Sequence, residues 1–517
     1  MTAAVVHLAD TGRGDGLLAG YDTFVDGLVV SAGQRWARRR AARRFLDEHP
    51  DLVAWMELPT PTRLRDLHRS KGWPFLSWCL VEGHLHADLE LLLAKPGGCE
   101  LPRTWRARHP EDVAAVDEAG QLLGWSTNWN RQVTLLFLPI LCLWAGKPLA
   151  GLDDGDFDAF LVELDDVAYV SFSASDHARK RLFGLSRACY QLRLLDHPRR
   201  IGGPVSRTAA ERAGDIVQPE IRREVVRYAT TLATTLKPAS VDSRVKTLMV
   251  FFDWLAEQHP GLRRLDQLER TVHIEPFLIW ERTRPWRGAN GRNRTISATQ
   301  FHHDIVELRV FFEDIAEWGW PSQPRGRLLF TADIPRMPKP LPRALPPDLD
   351  RALMAAVAEL DDLLARTGLQ VLRATGMRIG ELLDLELDCL VDFGRHGPWL
   401  RVPLGKLATE RMVPLDDDTV TTLDAWIAQR GPQRAIPHPR EDRPADFLFL
   451  EGGRRPTAFR LRQALRHAVV AAGLSGTDGA PLRVTPHQLR HTYGTALDMR
   501  GVASDATTGG CATVVWC

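Results

Sequence analysis

Residues 485–494, with the sequence TPHQLRHTYG, constrain the fold of the C-terminal part of the chain more than any other stretch. Thr485 is a favourable helix N-cap and Pro486 suits the first helical position, so we predict that a helix begins here. His487 and Arg490 would then share one face of that helix. A titratable ring and a forked cation at the positive end of a helix suit a phosphate group. An isolated HxxR pair is more often ordinary surface charge, so the phosphate interpretation depends on further motifs.

The composition limits the class of protein. A chain of 517 residues is too long for one core, and we expect two to four domains. The net charge of +1 means that nucleic-acid binding would depend on local basic patches. The seven cysteines contain no CxxC pair, which fits a reducing cytoplasm. The longest apolar run, residues 133–145, is too short for a membrane span and is predicted to be a core helix. We therefore expect a cytoplasmic protein with no membrane partner.

Residues 1–200 are predicted to be a mostly helical N-terminal extension whose role the sequence leaves open. Residues 35–44 carry six arginines in ten positions, all compatible with a helix. Contact with a DNA backbone and a solvated helix face explain this pattern equally well.

Residues 216–325 have apolar residues at helical spacing and are predicted to form a small helical domain. Residues 282–294 within it carry five arginines and no acidic residue, together with glycine and proline, as in a mobile basic loop. We expect this loop to contact phosphate groups, with a merely solvated loop as the alternative. Its arginines are Arg282, Arg284, Arg287, Arg292 and Arg294.

A proline-rich segment at residues 326–347 is predicted to be a stiff linker. The domain after it, residues 348–497, is predicted to be mainly α with a small β-hairpin or sheet. Helices are expected at 349–364, 369–387, 419–429 and 458–472, and strands near 400–415 and at 447–450. Pro403 and Pro414 indicate that the hairpin around Lys406 lies at a sheet edge.

Two motifs precede the HxxR pair. In ATGMRIGELL, residues 374–383, Arg378 lies in a predicted apolar helix, where it needs either a structural pair with Glu381 or a bound phosphate. In GKLATERMVPL, residues 405–415, Lys406 is expected at a hairpin tip, either solvated or reaching into DNA as a general acid. Three cations and one titratable ring suit a phosphoryl transition state without a metal. The absence of paired carboxylates in the motifs argues against a two-metal nuclease.

These three motifs, in this order, resemble those of the tyrosine recombinase (phage integrase) family. ATGMRIGELLDL resembles its first arginine box, GKLATERMVPL its β-hairpin lysine segment, and TPHQLRHTYGTAL its HxxR box. The resemblance covers roughly residues 340–497. The helical segment 216–325 is similar in kind to the family's SAM-like core-binding domain, and residues 1–200 match the long N-terminal extensions of larger members only loosely.

The resemblance implies DNA strand cleavage and rejoining, as in site-specific recombination or the integration of a mobile genetic element. A tyrosine attacks a phosphodiester of double-stranded DNA and releases a 5′-hydroxyl. Arg378 and Arg490 would hold the non-bridging oxygens, Lys406 would protonate the leaving oxygen, and His487 would assist proton transfer. The family needs no cofactor or metal, and four protomers usually assemble on two DNA sites.

One family feature is missing from the sequence, namely a nucleophilic tyrosine after the HxxR box. The five tyrosines are at positions 21, 169, 190, 228 and 493, and Tyr493 lies inside that box. Residues 498–517 have no helical apolar period, and we expect this tail to reflect a frameshift or premature end. We therefore predict a recombinase homologue that binds DNA without cleaving it. A non-enzymatic DNA-binding protein that competes for recombination sites is the alternative, and a helical scaffold with no role on DNA is a third hypothesis.

Overall fold

The computed structural model describes residues 13–94, 100–167, 172–198, 207–287, 293–337, 343–403, 410–439, 441–476 and 479–499. These residues are mostly helical, with three small antiparallel sheets, which confirms the predicted fold class. The chain forms two compact units. One comprises residues 1–201 together with 342–517, and the other comprises residues 202–341.

In the N-terminal part of the first unit, the regular elements of the described residues are all helices. A π-helical turn, Gln132–Phe137, leads into a helix of the apolar run, and Phe137, Leu138 and Leu141 are fully buried there, as predicted for a core helix. None of the helices in the described part of the chain has the length and apolar character that crossing a membrane requires. The helices are α1 (Arg13–Asp26), α2 (Ala32–Glu48), α3 (Leu52–Met56), α4 (Thr60–Ser70), α5 (Trp73–Val81), α6 (Leu89–Leu93), α7 (Glu100–Arg108), α8 (Pro110–Leu122), α9 (Thr127–Arg131), α10 (Leu138–Ala145), α11 (Asp154–Asp166) and α12 (Phe172–Gln191).

The second unit is a helical body with one short β-ribbon. Its core is rich in aromatic residues, among which Phe251 and Phe311 are fully buried, and the helical spacing predicted for residues 216–325 is confirmed. The ribbon pairs Pro285 with Thr295 at the base of the predicted basic loop. The elements are α13 (Ala209–Ala213), α14 (Pro219–Leu232), α15 (Pro238–Gln258), α16 (Glu275–Thr283), β1 (Pro285–Arg287), β2 (Asn293–Thr295) and α17 (Ala298–Glu317).

The C-terminal part of the first unit carries the three motifs. Its largest sheet has the order β3-β4-β5, with all pairs antiparallel. Only β5 of the predicted hairpin therefore lies at an edge, since β4 is the central strand. The elements are α18 (Pro347–Ala358), α19 (Leu363–Thr375), α20 (Ile379–Leu383), β3 (Leu390–Asp392), β4 (Pro398–Val402), β5 (Arg411–Pro414), α21 (Asp417–Arg430), β6 (Ile436–Pro437), β7 (Pro444–Ala445), α22 (Ala458–Ala471) and α23 (Pro486–Met499).

Two predictions about this part are wrong. The helix predicted over 369–387 ends at Thr375, because Gly376 adopts a left-handed conformation with φ +60 and stops it. Arg378 is consequently the N-cap residue of α20 and does not lie inside a helix. Residues 447–450 are buried but form only an isolated bridge, between Glu386 and Phe447, and no strand. A buried apolar run has the same sequence pattern whether or not its backbone pairs with a neighbouring strand.

The N-terminal helices and the C-terminal domain share a hydrophobic core. Phe447 and Leu450 pack in one cluster with residues of α8, α10 and α12. The Tyr190 hydroxyl donates a hydrogen bond to the carbonyl of Ala435, and the Arg434 guanidinium lies 3.9 Å from the centre of the Tyr190 ring. Residues 1–200, predicted as a separate extension, thus pack into the same unit as the motifs, and the domain boundary between them stays a prediction.

Candidate phosphate-binding site

In the first motif, Arg378 is bound to the buried carboxylate of Glu381. The backbone amide of Arg378 donates a hydrogen bond of 3.0 Å to Oε2 of Glu381, and its Nη1 donates one of 2.8 Å to Oε1. The Glu381 side chain is 3% exposed, whereas that of Arg378 is 35% exposed. The structural pair considered from the sequence is therefore present, and it still leaves part of the Arg378 guanidinium open to solvent.

A second arginine, which the sequence analysis did not single out, completes this cluster. Nη2 of Arg411, at the start of β5, donates a hydrogen bond of 2.9 Å to Oε2 of Glu381. Burial acts to raise the pKa of Glu381, but hydrogen bonds from the Arg378 amide and from both guanidinium groups outweigh it and hold the pKa below its usual value. Glu381 is therefore ionised near neutral pH. The only signal in the sequence was an arginine within the apolar pattern of the second motif.

The third motif is anchored to the first. Backbone and side-chain hydrogen bonds between Thr485 and Gln488 cap α23, which confirms the predicted helix start. Arg490 is 8% exposed, and its Nη1 donates a hydrogen bond of 2.5 Å to the carbonyl of Gly376. A Cβ atom at Gly376 would lie 2.3 Å from Cδ1 of Tyr493, so only glycine fits between the motifs at this point. The turn at residues 376–378 thus accepts the hydrogen bond from Arg490 at its first residue and carries Arg378 as its last.

The histidines of α23 lie at its exposed N-terminal end. His487 is exposed, and its ring centre lies 4.4 Å from that of His491 in an edge-to-face arrangement. Burial, His487 and Arg490 all lower the pKa of His491. The ring of His491 therefore lies directly beside that of His487.

The structure describes the remaining predicted site residues only in part. Lys406 lies in residues 404–409, outside the described part of the chain, as do Arg292 and the tail after residue 499. Arg287 and Arg294 are on β1 and β2, but their side chains are not described.

Two arginines of the predicted basic loop are fully described. Arg282 is exposed and lies 5.9 Å from the ring centre of Phe301. Arg284 instead forms two hydrogen bonds, of 2.7 and 2.8 Å, to the fully buried Glu281. A buried carboxylate needs a cation beside it. Arg284 therefore serves as the partner of Glu281 in the protein interior. Phosphate contact by the other arginines of the loop stays a prediction.

The arginines of α2 are mostly paired with carboxylates. Four of the six form ion pairs, with Asp22, Asp26, Glu48 and Glu100 as the acids. Arg40 lies over the ring of Trp36, which is 61% exposed. This pattern favours a helix-surface role over contact with DNA. Among the described residues, no group of His, Cys, Asp and Glu is arranged to hold a metal ion.

Residues 344–507 match the phage integrase family, and this part of the chain is a tyrosine recombinase domain. The match begins in the segment before α18 and includes all three motifs.

Among similar proteins are the tyrosine recombinases XerC of Myxococcus xanthus and XerD of Pseudomonas aeruginosa. They are 33% identical over 168 residues and 36% identical over 171 residues, and each alignment covers 32% of this chain and 51% of the relative. A tyrosine recombinase of Thermosipho africanus is 29% identical over 258 residues, 50% of this chain and 78% of that protein. The chain thus spans about half the length of the XerC and XerD relatives.

Solved structures with some similarity include an integrase of the Tn1549 transposon in complex with circular intermediate DNA. It is 18% identical with a TM-score of 0.39, and the alignment covers 58% of this chain and 90% of that one. A lambda integrase dimer bound to a COC′ core site is 18% identical with a TM-score of 0.37, over 54% of this chain and 87% of that one.

Proposed function

We propose that the chain binds double-stranded DNA as a site-specific recombinase or integrase does, with Arg378 and Arg490 on the non-bridging oxygens of one phosphodiester. The observation that carries this proposal is the turn at residues 376–378. There the hydrogen bond from Arg490 to Gly376 brings the first and third motifs together beside the half-exposed Arg378 guanidinium. Forked guanidinium groups held in place by other residues suit phosphate oxygens.

The other two residues are assigned to proton transfer. His487 lies exposed near the start of α23, where the helix dipole favours an anion, and it would assist proton transfer at the attacking group. Lys406 follows β4 and would protonate the leaving 5′-oxygen. Neither role requires a cofactor. In the recombination reaction, four copies of the chain would assemble on two DNA sites, in the cytoplasm.

The covalent step is where this chain would differ from an active recombinase. No tyrosine follows Tyr493 in the sequence, and Tyr493 packs against the core beside Gly376. We therefore propose that a protein of these 517 residues binds DNA but forms no phosphotyrosyl bond. The alternative, a non-enzymatic DNA-binding protein that competes for recombination sites, rests on the same missing tyrosine.

A trapping experiment tests both parts of the proposal. The full chain is incubated with a pool of nicked duplexes of random sequence, in which strand cleavage would release a short fragment and leave the protein attached. Salt-dependent binding without any covalent adduct is expected. An adduct that survives denaturation would overturn the claim of inactivity, and the absence of salt-dependent binding would overturn the proposed DNA partner and favour a scaffold.

A further inference from the structure

The carboxylate of Glu381 joins the first motif to the second, through an arginine 30 residues away in sequence. It accepts hydrogen bonds from Arg378 through Oε1 and Oε2, and from Arg411 through Oε2. Exposure of the three side chains differs, at 3% for Glu381, 14% for Arg411 and 35% for Arg378. Arg411 is therefore the enclosed partner of the cluster, and Arg378 is the partner that faces solvent.

Sharing one carboxylate between two arginines has an electrostatic consequence. A lone Glu381–Arg378 pair would be neutral, and a phosphate would have to compete with Glu381 for the guanidinium. With Arg411 present, the cluster holds two cations and one anion, and Arg378 is its most exposed member. Arg411 would thus keep the charge of Arg378 available to a phosphate.

Arg411 also lies at the base of the hairpin that carries Lys406. It pairs in register with Val402, the last residue of β4, and residues 403–410 connect the two strands. Its hydrogen bond to Glu381 fixes this end of the hairpin to α20, next to Arg378. The return strand of the hairpin and the first motif are therefore held together by one side chain.

We propose that Arg411 is a positioning residue of the phosphate site: through Glu381 it orients Arg378, keeps its charge uncancelled, and ties the Lys406 hairpin to it. This inference rests on the proposed phosphate-binding function. Arg411 does not itself contact the phosphate.

The test is a double-mutant cycle on the full chain, with inorganic phosphate as the probe and calorimetric titration as the measurement. R411Q is expected to lower phosphate affinity roughly threefold to tenfold, within the usual range for coupled neighbours. The same change made in the R378Q background is expected to have no further effect, because Arg411 acts only through Arg378. A merely structural role would give additive losses.

Arg401 provides the matched control. It lies on β4 of the same sheet and pairs with Asp388 at 2.6 Å, but both side chains are well exposed. R401Q is expected to leave phosphate affinity unchanged. If R411Q does not unfold cooperatively, R411K replaces it, with an expected loss of roughly twofold that again disappears in the R378Q background.

The outcomes separate the two claims. If R378Q binds phosphate as tightly as the unaltered chain, the proposed phosphate site itself is wrong. If R378Q weakens binding while the Arg411 variants do not, or if their losses add to that of R378Q, the positioning role of Arg411 is overturned and the phosphate site stands.

Discussion

Helix α2 and the Glu381 cluster both concentrate arginines, yet their electrostatics differ. The arginines of α2 pair with carboxylates that are themselves partly exposed, such as Asp22 and Asp26. In the second region a single carboxylate, Glu381, is almost fully buried and is shared by Arg378 and Arg411. Exposed ion pairs contribute little and leave side chains free to move, whereas a buried shared carboxylate fixes both of its partners. The density of arginines in a sequence is thus a poorer guide to a site than the burial of their partner.

The largest effect is expected beside the second region, where Gly376 of the first motif meets Tyr493 of the third. G376A places a Cβ atom against the Tyr493 ring at a position with φ +60, and should lower the free energy of unfolding by about 2–4 kcal/mol. Chemical denaturation of the full chain measures this. G380A is the control, because a Cβ atom at Gly380 meets nothing within 4 Å. Equal stability of the two variants would show that the packing between Gly376 and Tyr493 is not tight.

Removing the carboxylate tests the contrast between the two regions directly. E381Q leaves two arginines without their buried anion and should lower the free energy of unfolding by about 2 kcal/mol, a value reduced because Arg378 is partly exposed. D22N removes the partner of Arg43 and one of the two partners of Arg39 on α2, and should lower the free energy of unfolding by only about 0.5 kcal/mol. Similar losses in the two variants would show that the buried and the exposed carboxylate contribute equally to stability.

The ionisation of Glu381 should have a smaller effect, which makes the stability of the protein depend on pH in a definite direction. The pKa of Glu381 is lower in the folded protein than in the unfolded chain, so its contribution is present above the ordinary glutamate pKa of about 4.3. That contribution is lost as the pH falls through the folded-state pKa. The stability difference between the unaltered chain and E381Q should therefore shrink in acid. A difference that is constant from neutral to acidic pH would contradict the depressed pKa.

Local features of the site could be predicted from the sequence, because they depend on neighbouring residues. The start of α23 followed from Thr485 and Pro486, and the three motifs identified the recombinase domain. The prediction that Arg378 lies inside a helix was wrong. The apolar pattern continues on both sides of Arg378 and gives no indication that the helix ends at Gly376.

Long-range features could not be predicted. The hydrogen bond between Arg411 and Glu381 joins residues 30 apart, and no local spacing indicates that contact. The core shared by residues near Tyr190 and Ala435 joins segments more than 240 residues apart. Periodicity shows that a face is buried, but it does not show what covers the face.

We expect Arg378, and not the arginine-rich helix α2, to contact the phosphate of DNA. The most direct measurement is the affinity for double-stranded DNA at several salt concentrations, for the unaltered chain, R378Q and R40Q. R378Q should lower affinity on the order of tenfold and reduce the salt slope by about one, whereas R40Q should stay within about twofold with an unchanged slope. Equal losses in the two variants, or a loss confined to R40Q, would show that Arg378 is not the specific phosphate contact.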